Sequence, residues 1–443
     1  MFRFDIGALL PGRGRPGPQS PVDHLAASVE DGREIARVTL WGKESLLVND
    51  PALINDILVA RHHDFGKVEG TRKGSLVSAN GILSTDDTVH LHHRRLHAPT
   101  FRKGKVEDAA VTMRETAESV TATWRHGRLL DVVEEMCRIT AGIALATLFA
   151  DLGTAPSTPL REQLPLLIRH AMEYPMAEAG PTGGRRRRTG PGAPLTLAVK
   201  QAIRQSLAEC EGHGGPGSIV GALRADNAGP PHGLSRDDLV DEILLFMIAS
   251  SVTNATTLSW AFHELARTAG IADPVRAAAV GDASAAGGGP AVFAPGYADR
   301  VVMEVLRLHP PVWILSRQAR TDTVLGGWKV ASGTVVHISP YTLHRKPDLY
   351  ADPQRFDPDR WLGADLRHLP PCAYLPFAAG PRGCIGEAFA KRELATILTA
   401  VAGRWRLAAT SRRPAVPVAG MTLHPHRLVM MPYAHNAPPK DNR

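Results

Sequence analysis

A chain of 443 residues with 44% apolar and 21% charged side chains can bury a large core, which excludes disorder as its general state, and its length suits either several ordinary domains or one large enzyme. Lysine and arginine (51) outnumber aspartate and glutamate (44), but Arg185 to Arg188 concentrate part of the +7 excess in the Gly/Pro-rich stretch 180–194, and no nucleic-acid-binding motif accompanies them, so no nucleic-acid partner is expected. Four scattered cysteines (Cys137, Cys210, Cys372, Cys384) form neither a disulfide framework nor a zinc pattern, and the apolar run within Met1 to Leu10 is too short for a membrane span or a secretory signal; a cytoplasmic protein with no membrane anchor is expected.

Residues 11–20 are rich in Pro, Gly and Arg, and 1–24 reads as an irregular N-terminal segment. Alternation from Ile35 to Trp41 and from Glu44 to Val48, around Gly42-Lys43, predicts a β-hairpin, followed by a helix from Pro51 to Arg61. Gly66 to Gly81 has no clear period and reads as a loop. A helical pattern then places His90 and Arg94 on one face, four residues apart. Val106 to Trp124, Leu129 to Ala150, Leu160 to Tyr174 and Leu195 to Cys210 read as helices.

Ser235 and Asp238 have the spacing of a capping box, and the helix they open runs to about Thr268. Its centre begins as an all-round apolar run, which predicts burial, yet holds Ser250, Ser251, Thr253, Asn254, Thr256 and Thr257; hydroxyls there can bond back to carbonyls one turn earlier. Ala269 to Tyr297 is rich in Ala, Gly and Pro and reads as a long surface connection. In the helix that follows, Glu304 and Arg307 lie three apart and can pair, ahead of Pro310-Pro311. Short strands are predicted in Val312–Arg320, Val324–Val330 and Thr334–Ile338, and a final β element in Leu423–Met431.

Phe377-Ala-Ala-Gly380-Pro-Arg382-Gly-Cys384-Ile-Gly386 runs straight into a helical pattern from Glu387 to Val401. One cysteine among three glycines and an arginine, just before a helix start, is placed where unpaired N–H groups and partial positive charge favour a thiolate, the form that binds metal. Gly380, Gly383 and Gly386 let the backbone approach a large flat ligand.

The pattern Phe-x-x-Gly-x-Arg-x-Cys-x-Gly resembles the haem-ligand loop of the cytochrome P-450 superfamily, and the resemblance extends over about residues 25–432. It implies a mainly α fold with a smaller β-rich lobe in one haem-thiolate domain, 25–432, before a tail at 433–443. It implies haem b as cofactor, with Cys384 as the axial ligand. His90 with Arg94 looks like the pair that holds one haem propionate; Arg317 matches the arginine of the second propionate, and Arg382 the propionate-binding residue of the cysteine loop. Glu304 and Arg307, with Arg355 from Asp352-Pro-Gln-Arg355-Phe356-Asp-Pro358, resemble the family's structural brace.

Registered on Trp260 and Glu264-Leu265, the long helix places Thr253 on the family's oxygen-activating threonine. Val252 then stands where the family has an acid, and Ser250 where it has a glycine, so the relay that would bring protons from solvent is altered. The resemblance puts Ala249, Val252, Val312 and Met421 around the substrate, and all are apolar or small. It implies a monooxygenase hydroxylating or epoxidising a hydrophobic small molecule, a terpenoid or polyketide. Nothing in the chain resembles a flavin or iron–sulfur domain, so a ferredoxin or flavodoxin with its NAD(P)H-dependent reductase is the expected electron source, and Arg382, Lys391 and Arg392 suit an acidic partner. The missing acid supports a peroxide-using or non-oxygenating enzyme as the second reading, and a non-catalytic haem-binding protein is the third.

Overall fold

A computed structural model describes residues 20–68, 81–85, 87–149, 157–174, 193–209, 235–279, 296–363 and 368–435. The N-terminal stretch before residue 20, residues 69–80 of the expected loop, Arg185 to Arg188, Cys210, residues 280–295 and the tail beyond 435 lie outside them.

Among the described residues the α-helices are α1 (Pro21–Ser28), α2 (Pro51–Asn55), α3 (Asp87–His97), α4 (Lys103–Thr121), α5 (Val132–Leu148), α6 (Thr158–Glu173), α7 (Ala193–Glu209), α8 (Arg236–Arg267), α9 (Ala272–Ala279), α10 (Tyr297–Leu308), α11 (Pro340–Leu343) and α12 (Glu387–Arg404). The central one is α8. Ser235 Oγ accepts from the Asp238 N–H, and the Asp238 carboxylate accepts from the Ser235 N–H, each at 3.2 Å, so the capping box forms and supplies partners for helix-end donors. This helix is long and apolar enough by composition to cross a membrane, but 78% of that stretch is buried inside the fold, against α5, α6, α10 and α12. It is the core helix around which the other layers stack.

The β-rich part is built on five strands in the order β1 (Ile35–Leu40), β2 (Lys43–Val48), β8 (Val335–Ile338), β5 (Leu315–Ala319) and β3 (Phe65–Gly66), with β2–β8 parallel and the other pairs antiparallel. Positive φ at Trp41 (52°) and Gly42 (74°) makes the tight turn that matches strand twist in a two-residue hairpin. Smaller sheets pair β6 (Thr323–Leu325) with β7 (Trp328–Val330), β10 (Pro417–Ala419) with β11 (Leu423–Pro425), and β12 (Val429–Ala434) with both β4 (Leu130–Asp131) and β9 (Trp405–Ala409). The main core lies among the large helices; two satellites lie under the five-stranded sheet and beneath α1.

Several local expectations change. The predicted helix Pro51–Arg61 is α-helical only to Asn55 and continues as a π-turn over Asp56–Ala60. The Ala/Gly-rich connection after Ala269 contains a helix, α9: Pro274 falls in its first turn, where no intrahelical N–H bond is lost, and alanines fill the last turn. The first helix begins at Pro21, inside the stretch read as irregular. The final β element divides into β11 and β12.

Candidate active site

The cysteine loop has an unusual backbone. Ala378 and Gly380 both take positive φ (56° and 70°), and a Cβ on Gly380 would stand 2.0 Å from the Leu58 carbonyl oxygen of the π-turn, so only glycine fits there. The Gly383 N–H donates to the Gly380 carbonyl at 2.9 Å and the Cys384 N–H to the Phe377 carbonyl at 2.8 Å, which folds the loop back on itself. Cys384 is exposed at the end of this loop.

Burial pushes the Cys384 thiol up from its ordinary value and Glu387 adds to that, while the Gly386 N–H and Arg94 pull it down without cancelling the rise. The Gly386 N–H at the helix start pulls the thiol toward thiolate, as its position implies, and a cation on the sulfur would act in the same direction.

Cationic groups converge beside the loop. Arg94 Nη1 donates to the Gly383 carbonyl at 2.7 Å, tying α3 to the residue before Cys384. His90 is buried one turn earlier, and its imidazole is pushed down to about 4, first by burial and then by Arg382, Arg94, Lys67 and His93. Every charge in that account is positive, which makes this a place for an anion. Arg317 comes from β5, nearly buried, with Nη1 donating to the Ser316 carbonyl at 2.9 Å.

On α8, Ala249 is exposed in mid-helix and Thr253, one turn on, is half-buried; with half-buried Phe246 and Ser250 they form one face toward open space. Phe246 stacks on Phe101 at 6.1 Å, Phe101 meets Phe389 edge-on at 6.4 Å, and a Cβ on Gly386 would touch the Phe101 ring at 3.5 Å and Cys384 Sγ at 4.0 Å. These rings carry contact from the open face of α8 to the cysteine loop. Thr253 Oγ1 donates to the Ala249 carbonyl at 2.9 Å, and Ser250 Oγ to the Phe246 carbonyl at 2.7 Å. Val312 and Met421 are half-buried. Val252 departs from expectation: at 1% exposure it belongs to the packed core and not to the open face, because it lies about 100° round the helix from Thr253.

Glu304 and Arg307 pair in two-pronged fashion, Nε to Oε2 at 2.9 Å and Nη2 to Oε1 at 2.8 Å, both with no exposed side-chain surface. The second arginine on this carboxylate is Arg360, with Nε 2.9 Å from Oε1, and not Arg355. Arg355 points outward, its side chain 69% exposed and 4.0 Å from Asp357; only its carbonyl takes part, accepting from Arg307 Nη2 at 3.1 Å. Trp361 Nε1 (2.9 Å) and the Asp357 N–H (3.0 Å) complete the shell around Glu304. The stretch singled out in the sequence stopped at Pro358, two residues short of Arg360; Arg360-Trp361, just past Asp359, was the available signal.

Two further buried acids escaped the sequence reading. Glu242, fully buried on α8, accepts from His97 Nε2 and the Ile82 N–H, both at 3.1 Å, and so fastens α3 and residues 81–85 to the long helix. Glu393 on α12 is 2% exposed; burial pushes its carboxyl up to about 8, and the Asn254 amide lies near enough to oppose this without a well-aligned hydrogen bond. Nothing local in sequence marks either, because the partners are far apart along the chain. Lys391 and Arg392 are engaged by Glu387 (2.6 Å) and Glu107 (2.7 Å), so the basic side chains expected to meet a partner carry their own carboxylates.

One accessible thiol, a cationic cluster and a lining of aromatic rings fit haem: a soft ligand for iron, positive charge for two propionates, and apolar surface for the macrocycle. The family profile described as cytochrome P450 matches residues 218–430. Cyclooctatin synthase of Streptomyces melanosporofaciens is 31% identical over 94% of this chain and 92% of its own length. Cyclooctat-9-en-7-ol 5-monooxygenase of the same organism is 31% identical over 91% and 87%. Pentalenene oxygenase of Streptomyces avermitilis is 26% identical over 91% of each. Among solved structures, the haem domain of cytochrome P450DA superposes with a TM-score of 0.77 at 20% identity, covering 94% of both chains.

Proposed function

The chain belongs to the cytochrome P450 family of monooxygenases, and on that premise we propose that it inserts one oxygen atom from dioxygen into a hydrophobic terpenoid. The observation that carries this reading is Cys384, accessible at the bottom of a strained loop beside the cluster of His90, Arg94 and Arg382. Cys384 would ligate the iron of haem b through its sulfur; Arg94, Arg317 and Arg382 would hold the propionate carboxylates by charge, and His90, neutral here, would donate a hydrogen bond to one of them. Haem supplies dioxygen activation when bound. Glu304, Arg307 and Arg360 brace the helix and meander behind it and take no part in the chemistry.

Thr253 can hold a proton at Oγ1, which in the resting helix is given to the Ala249 carbonyl, so releasing it costs one helix-internal bond. Val252 offers no acid, and protons pass through hydroxyls such as those of Thr253 and Ser250, with water between them. Ala249, Val312 and Met421 leave the substrate face small and apolar, which suits a hydrocarbon skeleton. Relatives named for cyclooctat-9-en-7-ol and pentalenene support the terpenoid class. Electrons come from a ferredoxin or flavodoxin with its NAD(P)H-dependent reductase, in the cytoplasm, as in a soluble bacterial-type member of the family.

The test is a spectral titration of the haem-loaded protein with terpenoids, cyclooctat-9-en-7-ol and pentalenene among them, followed by turnover with a surrogate ferredoxin, its reductase and labelled dioxygen. A low-to-high spin shift and a product carrying one labelled oxygen are expected. Product that needs only peroxide, or a rearranged product without label, would overturn the proposal in favour of the second reading, which Val252 supports. In the same preparation Cys384→Ser should lose the red-shifted Soret band of the reduced CO complex; a surviving band sinks the ligand assignment.

A further inference from the structure

The turn Gly420–Thr422, between β10 and β11, is held from three directions by buried side chains. Trp313 Nε1 donates to the Gly420 carbonyl at 3.0 Å, Trp260 Nε1 to the Leu423 carbonyl at 2.8 Å, and the hydroxyls of Thr256 and Thr422 meet at 2.8 Å. The Leu423 N–H also donates to the Pro311 carbonyl at 3.0 Å. Thr256, Trp260, Trp313 and Thr422 are each at most 2% exposed. Gly420 is pressed on α6 so closely that a Cβ would stand 2.2 Å from the Met172 carbonyl oxygen.

These clamps join the segments that carry the proposed substrate wall. Met421 sits in the turn itself, and Val312 lies between Pro311 and Trp313, both of which bond to the turn. Thr256 and Trp260 share a face of α8, three and seven residues beyond Thr253. Ser250, Thr253, Thr257 and Ser259 give their hydroxyls to carbonyls of their own helix. Thr256 instead reaches a hydroxyl 166 residues away in sequence. A buried hydroxyl pair of this kind is rigid, because separating it leaves two polar groups unsatisfied out of reach of water.

We infer that Thr256, with Thr422, is a positioning residue that sets where Met421 and Val312 stand relative to the open face of α8, and thereby which carbon of a bulky substrate is presented. This rests on the substrate-site reading above and adds the device that fixes its shape.

The test uses the haem-loaded protein and needs no knowledge of the natural substrate. Thr256→Val removes the hydroxyl at nearly constant volume, and Thr256→Ser keeps it. Spectral titration with clotrimazole, a bulky azole, and with imidazole reports pocket shape, and hydrogen exchange of the peptide covering 417–425 reports the turn. In Thr256→Val, the clotrimazole dissociation constant should change about five- to tenfold, the scale of one buried hydrogen bond. Imidazole should stay within about twofold, exchange across 417–425 should quicken, and Thr256→Ser should restore the parent values on all three. A valine variant that matches the parent in clotrimazole affinity and in exchange overturns the proposal, as does one whose imidazole affinity falls equally, which would mean general loosening. If Thr256→Val does not load haem, Thr422→Val breaks the same bond from the other side. Should the parent give no azole spectrum, the haem-thiolate reading is what fails, and the exchange comparison still decides the clamp.

Discussion

In the cysteine loop the special features are in the backbone: positive φ at Ala378 and Gly380, a glycine pressed on the Leu58 carbonyl, and a chain folded back by the Cys384 N–H. On α8 the backbone is an ordinary helix, and function depends on which way each side chain points: Ala249 and Thr253 toward open space, Val252 into the core, Thr256 and Trp260 toward the 420–423 turn. A loop of the first kind admits few residues at each position, so it leaves a motif. A helix face admits many residues, and a step of one residue turns the side chain by about 100°. The motif is therefore easy to read and the face easy to misread.

Val252 gives the strongest way to break this comparison. Val252→Asp would place a carboxyl in the apolar core, where it must stay protonated or be left unpaired, and it should cost about 3–4 kcal/mol of stability. The midpoint of denaturant unfolding of the haem-loaded variant measures this. A midpoint equal to the parent's would mean that the side chain reaches the open face, and the relay position would be available to an acid after all.

Much of the fold was legible because its signals are local. Alternation marked β1 and β2, the Ser235–Asp238 spacing marked the start of α8, and glycines with Arg382 marked the cysteine loop. What was not legible depends on partners distant in sequence. Arg355 and Arg360 both follow a proline by two residues, in Pro-Gln-Arg-Phe and Pro-Asp-Arg-Trp, and the local sequence does not say which one turns inward. Glu304 receives Arg360 because the Pro358–Trp361 turn packs against α10.

The brace provides the next test. Arg360→Ala removes one cation from a carboxylate with no exposed surface and should cost about 2–3 kcal/mol, with Arg307 still holding the other side. Arg355→Ala removes an exposed side chain and should stay within about 0.5 kcal/mol of the parent. Unfolding midpoints of the two variants compare them directly; equal losses would return Arg355 to the brace.

Glu393 joins the two regions, since α12 begins at the cysteine loop and Asn254, beside Thr253, is the residue that opposes the rise of its carboxyl. Burial lifts that carboxyl from 4.5 to about 8, so between these values the folded chain holds a proton that the unfolded chain has lost. The stabilising contribution is full below the lower value and declines as pH rises through the window, by at most about 1.4 kcal/mol per pH unit. Glu393→Gln keeps the shape and removes the titration. Its urea midpoint should fall less steeply than the parent's between about pH 5 and 8, with the variant gaining on the parent most at the upper end. Superimposable profiles would mean that Glu393 is already ionised in the folded chain. That requires water beside Asn254, and the cysteine loop and the α8 face would then be connected by a hydrated path in place of a dry contact.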